Sequence, residues 1–83
     1  MPRQKRVTLH YYAAFREAVG RGAEEVQTAA VTVAELYDEV RARHGFRFDR
    51  SVLAVALNDA VVPWTASVSE GDRVVFLAPF AGG

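Results

Sequence analysis

The chain has 83 residues, with ten basic side chains balanced by ten acidic ones and no cysteine. A chain of this length forms one small domain, and its zero net charge argues against nucleic acid as the main partner, because phosphate binding needs a surplus of Lys and Arg. The lack of cysteine excludes disulfides, iron–sulfur clusters and thiolate zinc sites. No apolar run approaches the roughly 20 residues that span a bilayer. We therefore expect a cytoplasmic protein without a membrane partner.

The first part of the chain predicts a strand, a short helix and a second strand. Residues 1–6 are rich in basic side chains and are expected to be a flexible tail. Apolar and polar residues alternate over residues 7–12, which is the period of a half-buried strand. The segment Ala13–Val19 favours a short helix that ends at Gly20, and residues 24–28 are assigned to a second strand.

The clearest predicted element is a helix that begins after Thr32. Thr32 and Glu35 have the spacing of a capping box, in which each side chain satisfies a free amide of the first turn. Gly45 suits the left-handed position that follows a helix. Apolar residues recur at i, i+3, i+4 and i+7 and form one stripe, made of Val33, Leu36, Tyr37 and Val40.

The second part of the chain predicts three more strands. Residues 52–57 are apolar on both faces, as in a central strand. After a turn, residues 60–62 form a short strand, and residues 73–78 form the last one. Pro79 then ends strand pairing, because it has no amide hydrogen to donate. One amphipathic helix against one mixed sheet is a two-layer α+β fold, with a single sheet face covered.

Signals of an enzyme are weak in this sequence. The two histidines, His10 and His44, do not have the spacing of metal ligands, and His44 is expected in the last turn of the long helix. The acidic pairs at 24–25 and 38–39 are adjacent in sequence, so their side chains should point apart into solvent. No serine lies in a nucleophile motif. We therefore expect no catalytic, cofactor or metal site within the chain.

The C-terminal segment, residues 79–83, reads PFAGG and ends on two glycines. Glycine lets a backbone pass through a narrow channel, so Gly82 and Gly83 could enter the active site of another protein. There the carboxylate of Gly83 could attack ATP to give an acyl-adenylate, and sulfide could displace AMP to leave a thiocarboxylate. An internal thiol would compete for the activated carboxyl group, and the chain has none.

Four segments together resemble the MoaD/ThiS family of sulfur carriers, and the resemblance extends over residues 7–83. The closing stretch is the most specific part, because a Gly-Asp turn precedes an aromatic strand and a terminal Gly-Gly. The helix at Ala13–Val19 favours the branch formed by the small subunits of molybdopterin synthase. The four segments are LHYYAAFREAVG (residues 9–20), TVAELYDEV (32–40), VALND (55–59) and VSEGDRVVFLAPFAGG (68–83).

The resemblance implies a ubiquitin-like β-grasp domain over residues 7–79, with one main helix packed on one sheet face, and a flexible tail over residues 80–83. It implies that Gly83 carries the acyl-adenylate and then the thiocarboxylate. Gly82 would keep the tail slim, while Phe80 and Ala81 would line the partner's channel. The implied function is sulfur transfer in molybdenum cofactor (molybdopterin) biosynthesis, as a non-catalytic subunit.

The resemblance also implies two protein partners and no bound cofactor. One partner is a ubiquitin-activating-type adenylyltransferase, which uses ATP. The other is the large subunit of molybdopterin synthase, in a heterotetramer of two small and two large subunits. The implied docking surface consists of Tyr12, Val61 and Leu77. The strand alternation independently places Tyr12 and Leu77 on the sheet face that the helix leaves uncovered, where an apolar patch marks a partner site.

Three alternatives stay open at this point. Tyr12 and Leu77 could fill a minor core instead of a docking surface. The sulfur could be delivered to thiazole, tRNA, cysteine or a tungsten cofactor. The chain could also be a ubiquitin-like interaction module with an inert tail, or a modifier that is conjugated to other proteins.

Overall fold

The computed structural model describes residues 3–78. Within that range a five-stranded sheet has the order β2-β1-β5-β3-β4, with β1 and β5 parallel and the other neighbours antiparallel. The predicted mixed sheet of an α+β fold is confirmed. No helix in this range is long and apolar enough to cross a membrane. The elements are β1 (Lys5–His10), α1 (Ala13–Val19), β2 (Ala23–Thr28), α2 (Val33–His44), a 3-10 helix (Arg50–Val52), β3 (Ala54–Leu57), β4 (Ala60–Val62) and β5 (Arg73–Leu77).

Helix α2 begins and ends where its capping residues predict. The Thr32 hydroxyl accepts a hydrogen bond from the Glu35 amide at 3.2 Å, and the Glu35 carboxylate accepts one from the Thr32 amide at 3.3 Å. Gly45 follows the helix with φ 72°, and its amide donates to the Arg41 carbonyl at 2.7 Å. Both signals are local in sequence, so the prediction needed no knowledge of the tertiary fold.

The core lies between α2 and one face of the sheet, and α1 closes one end of it. All four residues of the predicted α2 stripe are buried. Tyr37 of α2 meets Phe76 of β5 edge to face, with ring centroids 4.9 Å apart, and Phe15 of α1 meets Phe46 at the same distance. This aromatic cluster fixes both helices against a single face, because such rings bury large areas and pack with defined geometry. The opposite face stays uncovered by α2.

The predicted start of the first strand and the predicted tail at residues 1–6 are partly wrong. β1 begins at Lys5, because Lys5 and Arg6 pair with Thr28 and Gln27 of β2. The domain therefore starts before residue 7, and residues 5 and 6 belong to the sheet. β1 ends at His10 and not at residue 12, because its pairing with β2 stops there. Pairing depends on a distant strand, so the alternation along β1 alone could not set these limits.

Two other strand limits also differ from the prediction. β3 begins at Ala54, because the preceding residues form the 3-10 helix Arg50–Val52. Asp49 begins that turn by accepting hydrogen bonds from the Ser51 hydroxyl at 2.6 Å and the Ser51 amide at 3.4 Å. β5 ends at Leu77, one residue earlier than predicted. An Asp cap can thus place a helical turn in front of a strand, so that the strand begins later in the sequence than its hydropathy predicts.

Thr28 joins the end of β2 to α2 and is the one buried polar residue among residues 3–78. Its hydroxyl donates to the Glu39 carboxylate at 2.6 Å and accepts from the Ala30 amide at 2.9 Å. The hydroxyl therefore satisfies a buried amide and fixes the loop between β2 and α2. A buried amide without such a partner is costly.

We expect Thr28→Val to lower the free energy of unfolding by about 1–3 kcal/mol, because the Ala30 amide loses its acceptor without any loss of side-chain volume. Urea denaturation followed by circular dichroism measures the change. Thr28→Ser is the matched control, since it keeps the hydroxyl and should retain most of the stability. A Thr28→Val variant as stable as the wild type, or a larger loss in Thr28→Ser than in Thr28→Val, would mean that packing of the methyl group, and not the hydrogen bonds, matters at this position.

Candidate docking surface beside the C-terminal tail

The sheet face that α2 leaves uncovered, called the open face below, is apolar over β3, β4 and β5. Val75 of β5 pairs with Ala56 of β3, and Ala56 pairs with Val61 of β4, so these three side chains share that face. Leu77 pairs with Ala54 on the same face. Over β1 and β2 the open face is polar, with Arg6, Thr8, His10, Glu25 and Gln27.

Tyr12 and Leu77 come together at one end of the open face. The parallel register pairs His10 with Val75, so two residues further along each strand Tyr12 lies beside Leu77. Together with Ala13, Phe76 and Ala78 they line a groove of about 370 Å³. The Tyr12 side chain is 58% exposed and Leu77 is half-buried. The alternative in which Tyr12 fills a minor core therefore does not hold.

Val61, the third residue of the predicted docking surface, lies outside this groove. It is on the edge strand β4, separated from β5 by β3, and is 71% exposed. The resemblance therefore grouped residues that the structure spreads across the open face. Ala56 and Val75 lie between Val61 and the groove, so one apolar strip connects the two. Ala56 itself is buried, whereas Val75 is half-buried and Val61 is exposed. A partly exposed apolar strip of this kind is typical of a partner-binding surface.

A strained corner presents Tyr12 to solvent. Tyr12 keeps an extended backbone with φ −129° and ψ 155°, and Ala13 then turns into α1 with φ 49°. A non-glycine residue in the left-handed region costs on the order of 1 kcal/mol, and such strain is concentrated at functional sites. The extended backbone at Tyr12 continues the alternation of β1, so Tyr11 is buried and Tyr12 is exposed. Nothing in the sequence of this corner indicates the strain at Ala13.

The predicted reacting end lies outside the described residues. Gly83 and Gly82 belong to that part of the chain, as do Ala81 and Phe80, so their predicted roles stay predictions. Ala78 is the last described residue and lines the groove. The covalent chain therefore continues towards the C-terminus from the groove itself.

A polar cluster behind the groove holds Tyr11 in place. The Tyr11 hydroxyl donates to Glu24 Oε1 at 2.7 Å, and His44 Nε2 lies 3.0 Å from the same oxygen. Arg43 approaches the other carboxylate oxygen at 3.7 Å. Glu24 is only 14% exposed, so the interpretation of the 24–25 pair as two solvated carboxylates was wrong for this residue. Sequence reasoning missed the cluster because its members come from β2, from α2 and from the connection between β1 and α1.

The cluster shifts the pKa values of two of its members. Burial alone would raise the pKa of Glu24, but the hydrogen bonds from Tyr11 and His44 and the nearby positive charge outweigh it, so the pKa is lowered. Burial, and then the hydrogen bond to Glu24, raise the pKa of Tyr11. His44 lies in the last turn of α2, as predicted. Among residues 3–78 no three His, Cys, Asp or Glu side chains come together to hold a metal ion.

Comparison with known proteins identifies the family. The model of the ThiS family matches residues 9–83, which is most of the chain. The chain belongs to the ThiS family. Among curated proteins, none matches this ThiS-family sequence. The family match reaches Gly83.

Several solved structures resemble this ThiS-family chain. A protein described as molybdopterin converting factor, subunit 1, from Pyrococcus furiosus is 27% identical with a TM-score of 0.77, over 90% of this chain and 98% of that one. SAMP1 from Haloferax volcanii is 19% identical with a TM-score of 0.74, over 94% and 99%. Caldiarchaeum subterraneum ubiquitin is 16% identical with a TM-score of 0.66, over 98% and 100%. The last two show the fold alone, and the predicted ubiquitin-like β-grasp fold is confirmed.

We expect Glu24→Gln to lower the free energy of unfolding by about 1–2 kcal/mol near neutral pH, because a charged acceptor is lost from the Tyr11 and His44 hydrogen bonds. The ionised Glu24 has a pKa below its ordinary value of 4.5. Its contribution to stability is therefore complete above that value and is lost as the pH falls through the lowered pKa.

Urea denaturation at a series of pH values measures this difference. The gap between the wild type and Glu24→Gln should narrow in acid. The control is Glu25→Gln, because Glu25 is exposed and lies 4.0 Å from Arg6, a geometry that contributes little. A constant gap at every pH, or an equal effect of the control, would contradict the assigned role of Glu24.

Proposed function

We propose that this ThiS-family protein is a sulfur carrier for molybdopterin synthesis and that the C-terminal carboxylate of Gly83 carries the sulfur. The observation that carries the proposal is the family match, which extends through the double glycine. The likeness to the molybdopterin converting factor subunit, at 27% identity over almost its full length, favours the molybdopterin branch over delivery to thiazole, tRNA, cysteine or a tungsten cofactor.

The proposed chemistry takes place on the tail and inside other proteins. In the adenylyltransferase, a carboxylate oxygen of Gly83 attacks the α-phosphate of ATP, and pyrophosphate leaves. The terminal sulfur of a persulfide donor then attacks the carbonyl carbon of the acyl-adenylate, and AMP leaves. A thiol reductant attacks the donor's sulfur in the resulting acyl disulfide, so that a disulfide with the donor forms and the thiocarboxylate is released. Gly82 and Gly83 carry no side chain, so the end fits a narrow channel. Phe80 and Ala81 contact the walls of that channel.

The body of the domain serves as the docking module for this chemistry. The groove at Tyr12 and Leu77 includes Ala78, five residues before Gly83, so a partner that covers the open face is within reach of the C-terminal residues. Val61 extends the contact across the sheet. The large synthase subunit supplies the catalytic residues, with two small and two large subunits in the complex. The adenylyltransferase uses the same surface, and all of these proteins act in the cytoplasm.

Deletion of Gly83, or its extension by one residue, should abolish thiocarboxylate formation, because the reacting carbonyl carbon is lost or displaced. The protein is incubated with the adenylyltransferase, ATP, a persulfide donor and a thiol reductant, and intact mass is then measured. The wild type should gain the mass difference between sulfur and oxygen. Circular dichroism of both variants should match the wild type. Sulfur loading of either variant would contradict the proposed carrier mechanism.

The same measurement separates the carrier from the other classes of protein. An inert interaction module gains no mass, and a conjugated modifier appears attached to a whole target protein. Among the sulfur carriers only the acceptor differs. Co-purification with a large synthase subunit and formation of molybdopterin by the reconstituted complex support the molybdopterin branch, and thiolation of a different acceptor contradicts it.

Val61→Ser should weaken binding to the large subunit about tenfold, because burial of a valine side chain contributes on the order of 1–2 kcal/mol. Isothermal titration calorimetry measures the affinity. Val31→Ser is the matched control, since Val31 is also an exposed valine but lies at the N-terminal end of α2. Both variants should fold normally. Equal effects on affinity, or none for Val61→Ser, would remove β4 from the docking surface.

A further inference from the structure

The chain contains a single side-chain amine. Nine of its ten basic residues are arginine and one, Lys5, is lysine. The guanidinium of arginine stays protonated and does not act as a nucleophile, whereas a lysine amine can be acylated once it loses its proton. An activated carboxyl group at Gly83 would thus meet one lysine on each copy of the protein. The position of that lysine decides whether copies can be joined to each other.

The fold directs Lys5 towards the helix side of the sheet. Lys5 has the same strand parity as Val7 and Leu9, whose side chains are buried in the core. Its Nζ donates a hydrogen bond to the Ala30 carbonyl at 2.7 Å, in partly buried surroundings. The neighbouring Arg6 has the opposite parity, and its side chain is 58% exposed on the open face. A side chain at position 5 is therefore hydrogen-bonded and partly buried, whereas a side chain at the next position, 6, is exposed.

The acceptor of this hydrogen bond is itself held in place. The Ala30 amide donates to the Thr28 hydroxyl, which in turn donates to Glu39 of α2. Ala30 is buried, with 4% of its surface exposed. Thr28 also pairs directly with Lys5 across β1 and β2. The carbonyl that receives the lysine ammonium is thus fixed by a strand, a loop and a helix.

We infer that the fold withholds its one lysine amine from acylation, so that the activated C-terminus of one copy is not consumed by another. This inference rests on the proposed carrier function. For an amide to form, Lys5 Nζ must leave the Ala30 carbonyl and give a proton to solvent. Its lone pair then attacks the carbonyl carbon of the acyl-adenylate, the bond from that carbon to the phosphate oxygen breaks, and AMP leaves. The hydrogen bond to Ala30 opposes the first of these steps.

The test compares the wild type with the double variant Lys5→Arg/Arg6→Lys, which has the same composition and again a single lysine. Both native proteins are treated with an N-hydroxysuccinimide ester of acetic acid, and lysine acetylation is followed by peptide mass spectrometry. Lys5 should be acetylated about fivefold more slowly than the relocated amine, the factor that one net hydrogen bond contributes. In urea-unfolded protein the two lysines should react at similar rates.

Equal rates in the native proteins, or faster acetylation of Lys5, would overturn the inference. A rate difference that persists in the unfolded proteins would also overturn it, because the effect would then come from neighbouring residues in sequence. Release of pyrophosphate by the adenylyltransferase is measured separately on both proteins. If no pyrophosphate is released, the proposed carrier function is contradicted, but the acetylation rates are unaffected. Failure of the proposed function can therefore be told apart from failure of the inference about Lys5.

Discussion

The parallel pairing of β1 with β5 determines where Ala78, the last described residue, lies in the domain. In a parallel pair both strands end at the same edge of the sheet. The register that joins His10 to Val75 therefore brings Tyr12 beside Leu77 and the corner at Ala13 beside Ala78. Residues 12–13 and residues 76–78 thus build one groove. An antiparallel pairing of the same two strands would place these residues at opposite ends of the sheet.

Features encoded by neighbouring residues were predictable from the sequence. The capping box and Gly45 gave both limits of α2, and the alternation along β1 gave the correct faces of Tyr11 and Tyr12. Features that depend on contacts with residues far away in the sequence were not predictable from local patterns. The start of β1 depends on pairing with β2. The burial of Glu24 depends on His44, which is twenty residues further along the chain. The tail chemistry came from the resemblance, and residues 79–83 lie outside the described structure.

Side chains alternate between the two faces of β1, and this alternation separates its apolar core residues and its lysine from its polar residues on the open face. Core residues and Lys5 share the helix side, and Arg6 and His10 share the open face. The same alternation, continued through an extended backbone, buries Tyr11 against Glu24 and exposes Tyr12 at the groove. If the pairing of β1 shifted by one residue, Val7 and Leu9 would move from the core to the open face, and Tyr12 would turn from the groove towards the core. Pairing of β1 on both sides, with β2 and β5, therefore protects the docking surface as well as the core.

The distribution of apolar side chains also explains why a domain of this size would act through a partner. Its large aromatic residues, from Phe15 to Phe76, are committed to the core between α2 and one sheet face. Over β3, β4 and β5 the open face carries mainly small and β-branched residues, and the groove at Tyr12 is bounded by side chains with one hydroxyl among them. Such a surface can bury area against another protein, but it offers few groups for proton transfer or charge stabilisation, which acyl transfer requires. Under the proposed carrier function, the polar groups that activate the C-terminal carboxylate belong to a different chain. The open face is the surface that we propose holds the two proteins together.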